Sequence, residues 1–145
     1  MQDGRVSGVP TAMITGASGG LGSALADVLA PTHTLFLAGR PSPRLDAVAE
    51  RLGATTWPLD LGDPDSFPAV VEPIVELDVL IHNAGVAYPG RVAESSVDEW
   101  RSTMAVNVVG AVALATGCAW AIAWTFRPLA PAWGSTCARC AGPGC

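Results

Sequence analysis

The chain has 145 residues, half of them hydrophobic and 14% charged, with a formal net charge of −5 at pH 7. This length suits one domain with a true core, and the apolar content excludes a disordered chain. The acidic balance argues against a nucleic-acid groove. The N-terminus has no charged segment leading into a long apolar run, so a cytoplasmic, reduced setting is expected.

In chain order, strand-like and helix-like patterns alternate. The sequence predicts strands over 11–15, 34–38, 55–59 and 78–83, and helices over 20–29, 43–52, 64–75 and from 97 onward. Asp63 before Pro64 reads as an N-cap followed by proline in the first turn. Ser96 with Glu99 three residues later is a capping-box pattern. Leu77 to Ile81 is a nearly unbroken apolar run, as a central parallel strand covered on both faces requires. The alternation implies an α/β fold: a Rossmann-like, doubly wound parallel sheet, incomplete, with its first four strands in the order 3-2-1-4. The fourth strand then has an open edge, which invites aggregation or self-association. Residues 102–126 carry no charge, and length alone would admit a membrane span there. Asn107, Gly110 and Gly117 interrupt the run and a capping box precedes it, so a buried or interface helix is expected instead of a membrane anchor.

The most informative stretch joins the first predicted strand to the first predicted helix: Thr15-Gly16-Ala17-Ser18-Gly19-Gly20-Leu21-Gly22. A strand that turns through glycines into a helix N-terminus makes an anion site, because the backbone passes close to a phosphate and the first free N–H groups point at it. The spacing differs from G-x-G-x-x-G but serves the same physics. A glycine-rich turn without a ligand is the plainer alternative.

This run resembles the T-G-x-x-x-G-x-G signature of the short-chain dehydrogenase/reductase family. Asp60-Leu61, Asn83-Ala84-Gly85 and Asn107-Val108-Val109-Gly110 resemble its later motifs in the family's order, over about residues 10–117. His82 departs from the pattern, standing where the family usually has asparagine. The resemblance implies that Gly16, Gly20, Leu21 and Gly22 cradle a pyrophosphate and that the Ser18 hydroxyl bonds phosphate or ribose. It implies that Asp60 and the Leu61 N–H meet adenine, and that Asn83, Ala84 and Gly85 lie along the adenosine ribose. At the end of the second strand an acid would hold a ribose 2′-hydroxyl; this chain has Gly39-Arg40, with Arg44 nearby, which suits a 2′-phosphate and favours NADP over NAD. Each residue also has an ordinary reading: Arg40 as a solvated loop arginine, Asp60 as a strand-end cap, Asn83-Ala84-Gly85 as a plain turn.

For catalysis the family uses serine, a Tyr-x-x-x-Lys pair and an asparagine that holds a relay water. Asn107 matches the last; a polar residue bonding a helix backbone at a kink is its plainer reading. The chain has no lysine and one tyrosine, Tyr88, which is followed by Pro89-Gly90-Arg91-Val92. An untuned phenol with a pKa near ~10 is a poor base at neutral pH. Beyond about residue 117 the character changes: all four cysteines and three of five tryptophans lie in 118–145, and the last acid is Glu99. Residues 1–117 thus read as the N-terminal part of a dinucleotide-binding domain, and 118–145 as a divergent tail from a shifted frame or truncation. Cys137-x-x-Cys140 has no second knuckle or nearby histidine, so no metal site is expected. Two readings share this fold: an NADP-dependent oxidoreductase acting on a small carbonyl/alcohol substrate, and a non-catalytic dinucleotide-binding fragment. A membrane-associated protein is a third. The uncharged helix suggests homo-oligomer contacts or aggregation.

Overall fold

A computed structural model describes residues 8–74 and 76–125. Four strands, β1 (Thr11–Thr15), β2 (Thr34–Gly39), β3 (Thr55–Pro58) and β4 (Val79–Ile81), form one parallel sheet in the order β3-β2-β1-β4. The helices are α1 (Gly20–Leu29), α2 (Pro43–Leu52), α3 (Phe67–Val71), α4 (Val97–Met104) and α5 (Ala111–Thr125). Ser135 and the cysteines at 137, 140 and 145, with the reading of that tail as a shifted frame, lie outside the described residues.

All five residues of β1 are buried, and period-2 alternation deals them to two cores. Ala12 and Ile14 join Leu35, Leu37, Leu45 and Ala49 under α1 and α2. Met13 joins Ala38, Phe67, Leu77, Leu114 and Cys118 under α3 and α5. Burial pushes the Cys118 thiol pKa up, so it packs as an apolar side chain and not as a nucleophile. Phe36 meets Trp57 edge to face at 5.0 Å, and the Trp57 indole donates to the Val70 carbonyl, tying β3 to α3.

The first two helices match their predicted spans, and in α2 local signals fix both ends. In α2 the Ser42 hydroxyl accepts from the Leu45 N–H, Pro43 starts the helix, and Gly53 closes it at φ 63°. Arg51 pairs with Asp27 and its other nitrogen reaches Ser23, which links α2 to α1.

Three expectations are corrected. The helix predicted over 64–75 is a 3₁₀ turn at Pro64–Ser66 followed by the five-residue α3. Pro68 has no N–H to continue the first turn, and Pro73 ends the second. Asp63 makes no side-chain cap; its carbonyl instead accepts from the N–H and hydroxyl of Ser66. The helix expected from Val97 onward runs through to Thr125, with a π-helical segment, Ala105–Gly110, joining α4 to α5. β4 is shorter than predicted and half-buried throughout, because it is a sheet edge with β1 as its one neighbour. The capping box at α4 is present, with the Ser96 hydroxyl accepting from Glu99 N–H and Glu99 accepting from Ser96 N–H.

The uncharged helical stretch buries only one stripe. Gly110, Leu114 and Cys118, four residues apart, face the core, while Met104, Val108, Val109 and Val112 are exposed. Val97–Ala119 is long and apolar enough to cross a membrane, and only 17% of its most apolar window is buried.

The two-sided core sets the stability ranking. Leu37→Ala is expected to cost about 2–5 kcal/mol in urea unfolding, whereas Val28→Ala, at a position 73% exposed, should change it by under about 0.5 kcal/mol.

Candidate functional site

All four strands end on the same side of the sheet, and the loops that leave them border a cleft of about 750 Å³. It lies where the strand order reverses, β2 and β3 being added on one side of β1 before the chain crosses back to place β4 on the other, the switch point at which open α/β sheets bind ligands.

The floor is built on Thr15. This side chain is fully buried, and its hydroxyl accepts from the N–H groups of Asn83 (3.1 Å) and Ala84 (3.0 Å). It donates to the Ile81 carbonyl at 3.4 Å. Asn83 returns the contact: its amide nitrogen donates to the carbonyls of Thr15 (3.1 Å) and Gly16 (3.2 Å). The Gly16 N–H donates to Ala38 in β2 at 2.8 Å. The glycine turn is therefore anchored to the strands on both sides before any ligand arrives.

The three motif glycines differ in what requires them. Gly16 has φ +67°, and a Cβ there would lie 2.8 Å from the Ala84 Cα. A Cβ at Gly22 would overlap the Gly16 carbonyl and come within 2.7 Å of the Asn83 amide. Both serve the protein's own packing. At Gly20 a Cβ would meet nothing within 4 Å, so no protein atom accounts for the missing side chain. Gly20 is the first residue of α1, which has no side-chain cap and no acid in its first turn. That end of the helix carries partial positive charge and unsatisfied N–H groups. Ser18 and Leu21 line the same mouth, Leu21 with its side chain 69% exposed.

Around the rim stand the other predicted residues. Arg40 is exposed at the end of β2 and lines the cleft; Arg44, the second residue of α2, does not. Asp60 follows β3, where its Oδ1 accepts from the Gly62 N–H at 2.9 Å. Leu61 also borders the cleft, but its side chain is buried in the core, so its backbone is what it offers. Ala84 and Gly85 continue the wall beyond β4.

Asn107 sits in the π-helical segment and does not bond a helix backbone. Its Oδ1 accepts from the Val86 N–H (2.8 Å) and its Nδ2 donates to the Val86 carbonyl (2.9 Å). Gly110 brings this segment against Leu61, whose carbonyl a Cβ at 110 would overlap. Thr15, Val86 and Val106 line the cleft without having been singled out from sequence. Thr15 opens the glycine motif, which was its signal; the two valines have no chemical signature. Tyr88 is outside the cleft lining, and its hydroxyl lies 3.0 Å from Ser102 Oγ. Among the described residues, no group of three histidine, cysteine or acidic side chains converges to hold a metal.

Comparison with known proteins places these features. The family model for short chain dehydrogenases matches residues 10–123. A mouse relative, dehydrogenase/reductase SDR family member 7B, is 36% identical over 116 residues, covering 70% of this chain and 36% of the mouse protein. A short chain dehydrogenase from Burkholderia cenocepacia, solved in complex with NADP, superposes with TM-score 0.72 at 26% identity, over 78% of this chain and 51% of its own. An alcohol dehydrogenase from Thermococcus sibiricus, complexed with 5-hydroxy-NADP, gives TM-score 0.73 at 29% identity, over 81% and 55%. The chain thus spans about a third of the curated relative and half of each solved structure.

Thr15→Val leaves two backbone donors facing a methyl group and should cost about 1–3 kcal/mol per orphaned N–H, with Thr15→Ser restoring most of it, as read by thermal unfolding. Desolvation at the end of β4 lowers the His82 pKa from 6.5. The folded state then binds fewer protons than the unfolded chain, so stability is full above 6.5 and falls as pH drops through it. His82→Asn should shrink the Tm difference between pH 7.5 and pH 5.5.

Proposed function

The chain belongs to the short-chain dehydrogenase family, and we propose that it carries the NADP(H)-binding half of an oxidoreductase for carbonyl/alcohol substrates. The observation that carries this reading is the bare, uncapped start of α1. Gly20 leaves space that no protein atom needs, at a helix end built to receive an anion. The pyrophosphate would take the N–H groups from Gly20 onward, with Ser18 donating a hydroxyl hydrogen bond beside it.

Arg40 sets the choice of cofactor. It stands on the rim at the end of β2, where a 2′-phosphate would need a guanidinium and a free 2′-hydroxyl an acid. The NADP complex of the Burkholderia relative supports this assignment. Asp60 keeps a carboxylate oxygen for the adenine amino group while Oδ1 holds the Gly62 N–H. Ala84 and Gly85 give the ribose a wall without side-chain bulk.

NADP(H), when bound, supplies the hydride. The residues here position it; the proton transfer has no occupant, because the chain contains no lysine and its one tyrosine is bonded to Ser102 outside the cleft. Asn107 holds Val86 at both ends of its amide and so fixes the wall of the cleft beyond β4. The chain should bind NADPH without turnover. We place it in the cytoplasm, with the exposed valine row of the π segment and α5 as a contact between copies.

Titration by nucleotide fluorescence tests the reading. Gly20→Ala should weaken NADPH binding at least tenfold with Tm unchanged, and Arg40→Asp should erase or reverse a preference for NADPH over NADH. Equal affinities in wild type and Gly20→Ala overturn the phosphate cradle. A preference untouched by Arg40→Asp overturns the cofactor assignment, and measurable hydride transfer by the purified chain overturns the view that it only binds.

A further inference from the structure

The chain passes straight from the cofactor cleft into a second, smaller pocket: Val86 lines the first and Ala87 the second. This pocket, about 260 Å³, lies between the loop after β4 and the first turns of α4. Its walls are aromatic and aliphatic. Tyr88 and Trp100 are each about half exposed (49% and 48%), and Val92 is 79% exposed. None of the three belongs to either core cluster, so packing among the described residues does not explain why large apolar side chains gather there.

The polar atoms of the walls are already paired. The Trp100 indole N–H donates to Ser95 Oγ at 2.9 Å, and Ser95 Oγ donates to the Val92 carbonyl at 2.8 Å. The Tyr88 hydroxyl lies 3.0 Å from Ser102 Oγ, and Thr103 Oγ1 donates to the Glu99 carbonyl at 2.8 Å. Glu99 Oε2 accepts from the N–H (2.7 Å) and hydroxyl (3.1 Å) of Ser96. Two consequences follow. Both rings are held by their polar ends, so a guest would stack on them without first ordering them. The pocket also has little unspent hydrogen-bonding capacity and no basic residue, while Glu99 supplies negative charge.

We propose that this pocket is a binding subsite for a neutral, ring-sized apolar group, and that it discriminates against anionic ones. A cavity of ~150 Å³ suffices for benzene, so the space admits a six-membered ring with a substituent. That the ring belongs to the carbonyl or alcohol substrate rests on the function proposed above. On that reading the guest is held on the side of the cleft wall that Asn107 fixes through Val86. Recognition of the substrate's apolar part would then begin in the loop after β4.

Cyclohexanone and cyclohexanecarboxylate, the same ring without and with charge, make the test. Each is titrated into the full-length chain, following the Trp100 indole N–H signal by NMR, assigned with Trp100→Phe. Cyclohexanone should give a saturable shift, and cyclohexanecarboxylate a response at least tenfold weaker. Gly90→Phe fills the pocket from a position where a Cβ meets nothing within 4 Å, and should abolish the shift while NADPH still binds. Val92→Trp, at a second lining position, does the same if the first variant fails to fold. A non-saturating response, equal response to the carboxylate, or a shift that survives both fillings overturns the proposal. Saturation by cyclohexanone in a chain that does not bind NADPH would uphold the pocket and overturn the cofactor reading instead.

Discussion

The site depends on one buried hydroxyl. Thr15 ends the central strand, and its Oγ1 collects the N–H groups of Asn83 and Ala84 just after β4 while Asn83 reaches back to the carbonyls of Thr15 and Gly16. These bonds are made in a fully buried place, where an unpaired polar group costs most. They hold the glycine turn and the β4 loop at fixed separation, and that separation is the width of the cleft. Gly16 and Gly22 keep it open by letting backbones meet where a side chain would wedge them apart.

The bracing explains why several motif residues have two masters. Asn83 borders the cleft, yet its amide nitrogen is spent on the loop. Asn107 treats Val86 in the same manner, from the π-helical segment. Asp60 divides its oxygens, one holding the turn at Gly62. Gly20 and Arg40 have no such partner among the described residues, and the proposed ligand recognition rests on them. A site built this way is stiff before binding, which lowers the entropy a ligand must offset.

What sequence could reveal follows the range of the interactions. The spans of β1, α1 and α2 were legible because caps, glycines and periodicity lie within the segments themselves. The strand order and the gathering of the motif residues on one cleft were legible from the alternation and the resemblance. The helix over 64–75 was overextended because the apolar pattern outweighed Pro68 and Pro73. The π-helical segment between α4 and α5 had no local sign beyond Asn107 and Gly110, which meet Val86 and Leu61, distant in sequence. The bracing roles of the two asparagines were hidden for the same reason.

The central strand's arrangement also bears on how the chain is made. β1 is buried on both faces, and it gains its second neighbour from a segment whose first bond to it, Asp78 to Thr11, spans 67 residues. At roughly 5–20 residues per second, synthesis leaves that edge bare for about 3–13 s. During that interval the most buried strand of the sheet has β2 alone beside it, and a chaperone, or a neighbouring nascent chain, has time to reach it first.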